Sequence, residues 1–192
     1  MSAHKYIEDS IIKPLNLKDT AFECTPDMAK RYIITDEEHE KIVNSLINGA
    51  YEPQWVGEQL NIPDTGGGLN GTARDLTRFG NMVLSGGTLD GVRILGRKSI
   101  EKMTTLAIHN KPDYCWSANE PNRRYGVGFD MRYGPAFTYT PGTYLHEGAG
   151  ACAMYIDPQE ELVAAWIVPF AKEGWFSRAL WSVQNIIWSG LK

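Results

Sequence analysis

The run Tyr144-Leu145-His146-Glu147-Gly148-Ala149-Gly150-Ala151 constrains this chain more than any other stretch. It reads as a strand edge that presents a histidine and is followed by small residues. Ala151–Ile156 reads as the next strand. Asp157-Pro158-Gln159-Glu160 then forms a turn, with proline where φ is pre-set. Leu162–Val168 is a mostly apolar run, as a strand buried on both faces would be. Upstream, Gly66-Gly67-Gly68 reads as a glycine loop opening a helix that Thr72 caps.

The elements before the strands are mainly helical. Residues 2–13 predict a helix with Ser2 as its cap, Tyr6, Ile7 and Ile11 on one face, and Pro14 as its stop. Thr35 with Glu38 makes a capping box ahead of Ile42, Val43 and Leu46, and Gly49 supplies a stop. The helix after Thr72 carries Leu76, Phe79 and Val83 and ends at Gly86-Gly87. Leu89-Asp90-Gly91-Val92 predicts a type I′ hairpin, because Asp-Gly supplies two positive φ angles. Ile100, Met103 and Leu106 suggest a short helix. Residues 107–123 are polar, with Pro112 and Pro121, and Tyr125–Met131 alternates like a strand. The chain closes on a helix over about 173–189, with Phe176, Ala179, Leu180, Val183, Ile186 and Ile187 as its apolar stripe. The fold class is therefore α+β: a helical region, an antiparallel sheet and a C-terminal helix. The expected organisation is a helical region over 1–110, a linking loop over 111–124, and strands plus the last helix over 125–192.

Composition narrows the function classes. A chain of 192 residues with 43% hydrophobic and 22% charged residues is ordinary for a globular domain. A net charge of −4, with Lys and Arg scattered, gives no electrostatic case for nucleic acid or an anionic membrane. No apolar run reaches the ~20 residues of a membrane helix. Cys24, Cys115 and Cys152 include no Cys-x-x-Cys pair, so no structural zinc is expected, and His4, His39 and His109 are not spaced as metal ligands. The thiols fit a reducing compartment. With no signal-peptide pattern, the chain as given reads as cytoplasmic, whereas a parent protein could be exported.

Taken in order, the glycine loop (66–76), the stretch 87–101 and the stretch 125–158 resemble the C-terminal part of the serine β-lactamase-related family. That family holds class C β-lactamases, DD-peptidases and related esterases. Pro14-Leu15-Asn16-Leu17-Lys18-Asp19-Thr20-Ala21-Phe22 is similar to a connector of the family in which glycine is usual where Asn16 stands. The resemblance implies a β-lactamase/transpeptidase-like fold, incomplete here because its N-terminal part would precede Met1. It implies ester or amide hydrolysis through an acyl-serine intermediate, with no cofactor.

Acyl transfer by a serine needs an activated hydroxyl, a proton acceptor beside it, and N–H donors facing the oxyanion. His146-Glu147-Gly148 stands where the family has Lys-Thr-Gly or His-x-Gly. The resemblance thus implies that His146 lines the cleft, Gly148 lets substrate approach, and the Ala149 N–H is an oxyanion donor. Residue chemistry alone favours a strand-end histidine with a satisfied hydrogen bond, and the motif context turns the reading toward the cleft. Glu147 is read as a solvent-exposed charge. Gly67 and Gly68 are placed at the cleft mouth, and Tyr144 and Trp55 either line a pocket or pack in the core. The family nucleophile motif, Ser-x-x-Lys, matches at Ser2–Lys5, Ser10–Lys13, Ser99–Lys102 and Ser189–Lys192, none in the family's setting. Tyr-x-Asn is absent, and Ser117–Asn119 lies in a polar loop. The expectation is a chain inactive by itself, part of a hydrolase acting on acyl compounds or peptides; the alternatives are a non-catalytic binding module or a truncated product. Such a chain would self-associate or need an N-terminal partner.

Overall fold

A computed structural model describes residues 1–34, 36–48, 66, 68–114, 120–148, 152–168 and 178–192. The chain divides into two compact units, Met1–Leu76 and Thr77–Lys192.

In the first unit, helix α1 (Ala3–Ile7) runs straight into a π-helical turn, Glu8–Ile12. The wide turn is closed by the Lys13 N–H on the Glu8 carbonyl at 2.9 Å, and Pro14 ends the helix because it has no N–H to donate. Ser2 sits at the N-cap but makes no capping bond. A π turn takes more than 3.6 residues, so a stripe extrapolated at ordinary helical spacing drifts. Ile12 is the buried side chain and Tyr6 is exposed, which corrects the expected Tyr6–Ile7–Ile11 face. Asn16 adopts φ +54°. Asparagine is among the few side chains that tolerate this left-handed conformation, which accounts for its standing in a glycine position. A short helix not expected from the sequence, α2 (Pro26–Ala29), is capped by Thr25, whose Oγ1 accepts the Met28 N–H at 3.2 Å. Helix α3 (Glu37–Ile47) follows and buries Val43; its expected cap, Thr35, lies outside the described residues.

Asp75 ties this unit together. It is buried, and its Oδ2 accepts from the Asp19 N–H at 2.8 Å and the Thr20 hydroxyl at 2.9 Å. Its own N–H donates to Thr72 Oγ1 at 3.2 Å, which is the expected cap of helix α4 (Ala73–Leu84).

From Thr77 onward α4 belongs to the second unit. It stops at Gly86 and Gly87 (φ +69° and +97°). At Gly87 a Cβ would lie 2.2 Å from the Leu95 carbonyl oxygen, so no other residue fits there. Strands β1 (Thr88–Leu89) and β2 (Val92–Arg93) form the expected hairpin, with Asp90 at φ +50° and Gly91 at +81°. Helix α5 (Arg97–Met103) follows.

Two strand expectations change at this point. Strands β3 (Ile108–Asp113) and β4 (Glu120–Tyr125) form an antiparallel hairpin within the stretch that reads as polar loop. An exposed hairpin tolerates Pro112 and polar side chains, because its outer face is solvated. Tyr125–Met131, in contrast, is not a continuous strand. The chain folds back after Tyr125, and Gly126 donates to the Phe129 carbonyl at 2.8 Å. Asp130 then bridges Tyr125 on one side and Leu145 on the other.

Strands β5 (Tyr144–Glu147), β6 (Cys152–Asp157) and β7 (Leu162–Ile167) form the expected antiparallel meander, with His146 opposite Met154 and Ile156 opposite Val163. The central strand β6 carries the burial; β7 is only half-buried apart from Ala164, a correction to its reading as buried on both faces. One sheet face packs on helix α6 (Val183–Ser189) and the π-helical turn Arg178–Ser182 before it. This core joins Tyr139, Leu145, Ala153, Tyr155, Ala164, Leu180 and Trp188. The π turn again shifts the stripe: Leu180, Gln184 and Trp188 are buried, while Ile186 is 70% exposed. The expected stripe residues Phe176 and Ala179 have no described side-chain environment. On the other face α4 comes so close that a Cβ on Gly80 would lie 2.6 Å from Val163 Cγ1. The second unit is thus a sheet between two helices.

Candidate active site

Strand alternation separates the two side chains that follow Leu145. His146 shares a face with Tyr144 and Met154 and is exposed. Its Nδ1 lies 3.1 Å from the Glu147 carbonyl oxygen. A carbonyl can only accept, so Nδ1 is the donor in this contact, and the neutral ring held this way has its lone pair on Nε2. An imidazole held in this way can accept a proton or a hydrogen bond from a bound molecule.

Glu147 points to the opposite face, and this corrects its reading as a solvent-exposed charge. Its side chain is 7% exposed. One carboxylate oxygen pairs with Arg132 Nη2 and the other accepts from the Tyr155 hydroxyl. Arg132 is itself gripped at several points. Its N–H donates to Asp130 Oδ1 at 2.9 Å, its Nε lies 3.3 Å from Asp130 Oδ2, and its carbonyl accepts from the Tyr139 hydroxyl at 2.7 Å. Arg123 Nη2 reaches Asp130 at 2.9 Å, and its Nε lies 3.4 Å from Asp113. Burial pushes the Asp130 carboxyl up, and Arg132 and Arg123 pull against it. Burial works to lower the Arg132 guanidinium, but Asp130 and Glu147 outweigh it and the net direction is up. Burial, and then the neighbouring Glu147 charge, push the Tyr155 hydroxyl far above the usual phenol range.

The remaining candidates lie as follows. Gly148 donates its N–H to the Cys152 carbonyl at 2.8 Å, and a Cβ on it would lie 2.6 Å from Cys152 Sγ. The thiol fills the space that a side chain would take. Tyr144 is buried, with its ring 5.3 Å from that of Phe129, and burial pushes its hydroxyl up to about 12. It is therefore a neutral phenol at physiological pH. Gly68 belongs to the first unit. Gly67, Ala149, Trp55 and the Ser117–Asn119 pair lie outside the described residues.

The members of the Ser-x-x-Lys pairs have local partners of their own. The Ser2 hydroxyl is 3.3 Å from His4 Nε2, while Lys5 binds Asp9 at 2.8 Å. Lys13, the partner of Ser10, binds Asp9 at 2.9 Å and Glu8 at 3.1 Å. Those two carboxylates hold its ammonium well above the usual range, the opposite of what a base requires. Ser99 is exposed on α5, and the Ser189 hydroxyl donates to the Ile186 carbonyl at 2.9 Å. Among the described residues, no three His, Cys, Asp or Glu side chains gather as metal ligands do, and no helix is long and apolar enough to cross a membrane.

The Beta-lactamase family model matches residues 1–181. This chain belongs to the Beta-lactamase family. Protein Rv1367c of Mycobacterium tuberculosis is 26% identical over 174 residues, which cover 86% of this chain and 43% of that protein. Simvastatin synthase (LovD) from Aspergillus terreus has the same fold, with a TM-score of 0.66 at 14% identity over 98% of this chain and 50% of its own. A penicillin-binding protein homologue from Caulobacter crescentus gives a TM-score of 0.61 at 20% identity, over 86% of this chain and 46% of that one. The chain thus spans about half the length of these family members.

The strand that carries His146, β5, was readable from the sequence around it. The buried brace beneath it was missed, although a signal existed: Glu147 is two residues from Leu145, and a period of two puts both on the core face.

Proposed function

We propose that this chain is the cleft-wall portion of a β-lactamase-like serine hydrolase. Such an enzyme cleaves esters or amides: a serine hydroxyl adds to the carbonyl, the tetrahedral oxyanion collapses, and the alcohol or amine leaves with a proton. In this reading His146 stands beside the reacting centre and offers Nε2 to the proton relay or to the substrate. In the same reading Gly148, two residues on, continues the wall. The nucleophile and its lysine come from sequence outside these 192 residues, in the same polypeptide or in a partner, and the 192-residue chain alone carries out no acyl transfer. A histidine in place of the family lysine favours ester or peptide substrates over β-lactams.

The observation that carries this reading is the exposed His146 at the start of the His-x-Gly run, in a chain matched almost throughout by the family. Two of the four Ser-x-x-Lys pairs support its second half, because Lys5 and Lys13 are engaged by carboxylates. Turnover of nitrophenyl esters and of a chromogenic cephalosporin tests it. The expected result is a rate indistinguishable from buffer. Hydrolysis that disappears in Ser2→Ala would overturn the reading.

A further inference from the structure

The residue between His146 and Gly148 has a task that the motif reading leaves unassigned. A glutamate on the core face of β5 is an expensive choice. A buried carboxylate loses its hydration, and an apolar side chain of similar size would suit the face that Leu145 and Tyr155 already line. The charge is retained with a full set of partners. Arg132 and Tyr155 take its two oxygens, and Arg132 is fixed in turn by Asp130, whose backbone pairs with Leu145 in both directions at 2.9 Å. The brace therefore closes on β5 itself, so Glu147 cannot rotate or slide without breaking several bonds at once. The main-chain carbonyl of the same residue stands 3.1 Å from His146 Nδ1.

We propose that Glu147 is a positioning residue: anchored from below by Arg132 and Tyr155, its peptide holds the carbonyl against His146 Nδ1 and so presents Nε2, with its lone pair free, to a substrate. This rests on the reading of His146 as a cleft-wall group, and its test requires no turnover. The neutral side chain of an unconstrained histidine in water prefers the proton on Nε2. The brace selects the other tautomer, by the ordinary rule that the bonded ring nitrogen fixes which one carries hydrogen.

The test is long-range proton–nitrogen NMR of the His146 ring in nitrogen-15-labelled protein at alkaline pH. The intact chain should show mainly the Nδ1–H tautomer. Glu147→Gln keeps the shape and an acceptor for Tyr155 but removes the charge facing Arg132. Tyr155→Phe removes the other anchor and leaves the ion pair, so it carries the test should Glu147→Gln fail to fold. Each should move the ratio toward Nε2–H, by up to about fivefold, the worth of one ordinary net hydrogen bond. A role limited to stability would lower the melting temperature and leave the ratio unchanged. An Nε2–H ring in the intact chain, or an unchanged ratio in a folded variant, overturns the proposal. Neither result bears on the hydrolase reading, which stands or falls on ester turnover.

Discussion

The two faces of the β5–β7 sheet solve different problems with neighbouring residues. The face under α6 is filled by large rings: Tyr139, Tyr155 and Trp188 lie with centroids 5.6 to 6.2 Å apart, and Trp166 stacks on Tyr155 at 5.1 Å. Its polar groups are largely paired, with the Trp188 indole on Asp157 Oδ2 at 2.8 Å and the Tyr155 hydroxyl on Glu147. The other face is approached by α4 over Met154 and Val163, yet it leaves the imidazole of His146 in the open. Residues one step apart on a strand can therefore be given opposite duties. Glu147 is immobilised by charge in the interior, and His146 is held at the surface by a single backbone contact.

The sharpest way to break this contrast is at the closed face. Trp188→Ala removes a 5%-exposed indole together with one of the donors to Asp157, and should lower stability by about 4 kcal/mol in urea unfolding. A smaller effect is expected on the opposite side of the sheet. Gly80→Ala forces a methyl group to within 2.6 Å of Val163 Cγ1, and the resulting overpacking should cost about 2 kcal/mol by the same measurement.

Acid sharpens the comparison further. Burial would raise the Asp157 carboxyl, but the bonds from Trp188, Thr140 and Glu160 outweigh it and hold it below the usual carboxylate value. A lowered folded pKa contributes stability that is present above the unfolded value of about 3.9 and lost as pH falls through the lower folded one. Asp157→Asn should therefore flatten the acid limb of the melting-temperature profile below about pH 4. Asp130, whose carboxyl is raised, has the opposite sign, and its protonation on acidification removes a strain rather than a support. The smallest effect is expected at the open face. His146→Ala should change unfolding free energy by no more than about 0.5 kcal/mol, because an exposed side chain with one backbone contact stabilises little.

Much of this architecture was legible where local chemistry is decisive. Asp90-Gly91 dictates its hairpin, Thr72 and Gly87 delimit α4, and the apolar alternation from Tyr144 to Ile167 gives three strands with their turn. The sequence was silent where two periodicities mix. The π turns at Glu8–Ile12 and Arg178–Ser182 displace the residues that follow their start from a 3.6-residue stripe, so Ile12 is the buried residue of the first and Trp188 is buried after the second while Ile186 is exposed. The β3–β4 hairpin escaped because its side chains are polar and its prolines signal a break. At the candidate site, the strand bearing His146 could be read from its motif. The brace of Arg123, Asp130 and Arg132 could not, because its members come from β4 and the loop after it and meet Glu147 only through tertiary pairing.

The most direct measurement is the intact mass of the folded chain after incubation with a fluorophosphonate and, separately, with a penicillin. A wall strand without a nucleophile gives an unchanged mass with both reagents, in a sample whose circular dichroism shows native helix and sheet. A single stoichiometric adduct on any serine, and on Ser2 above all, would show that these 192 residues hold a working nucleophile and would contradict the account.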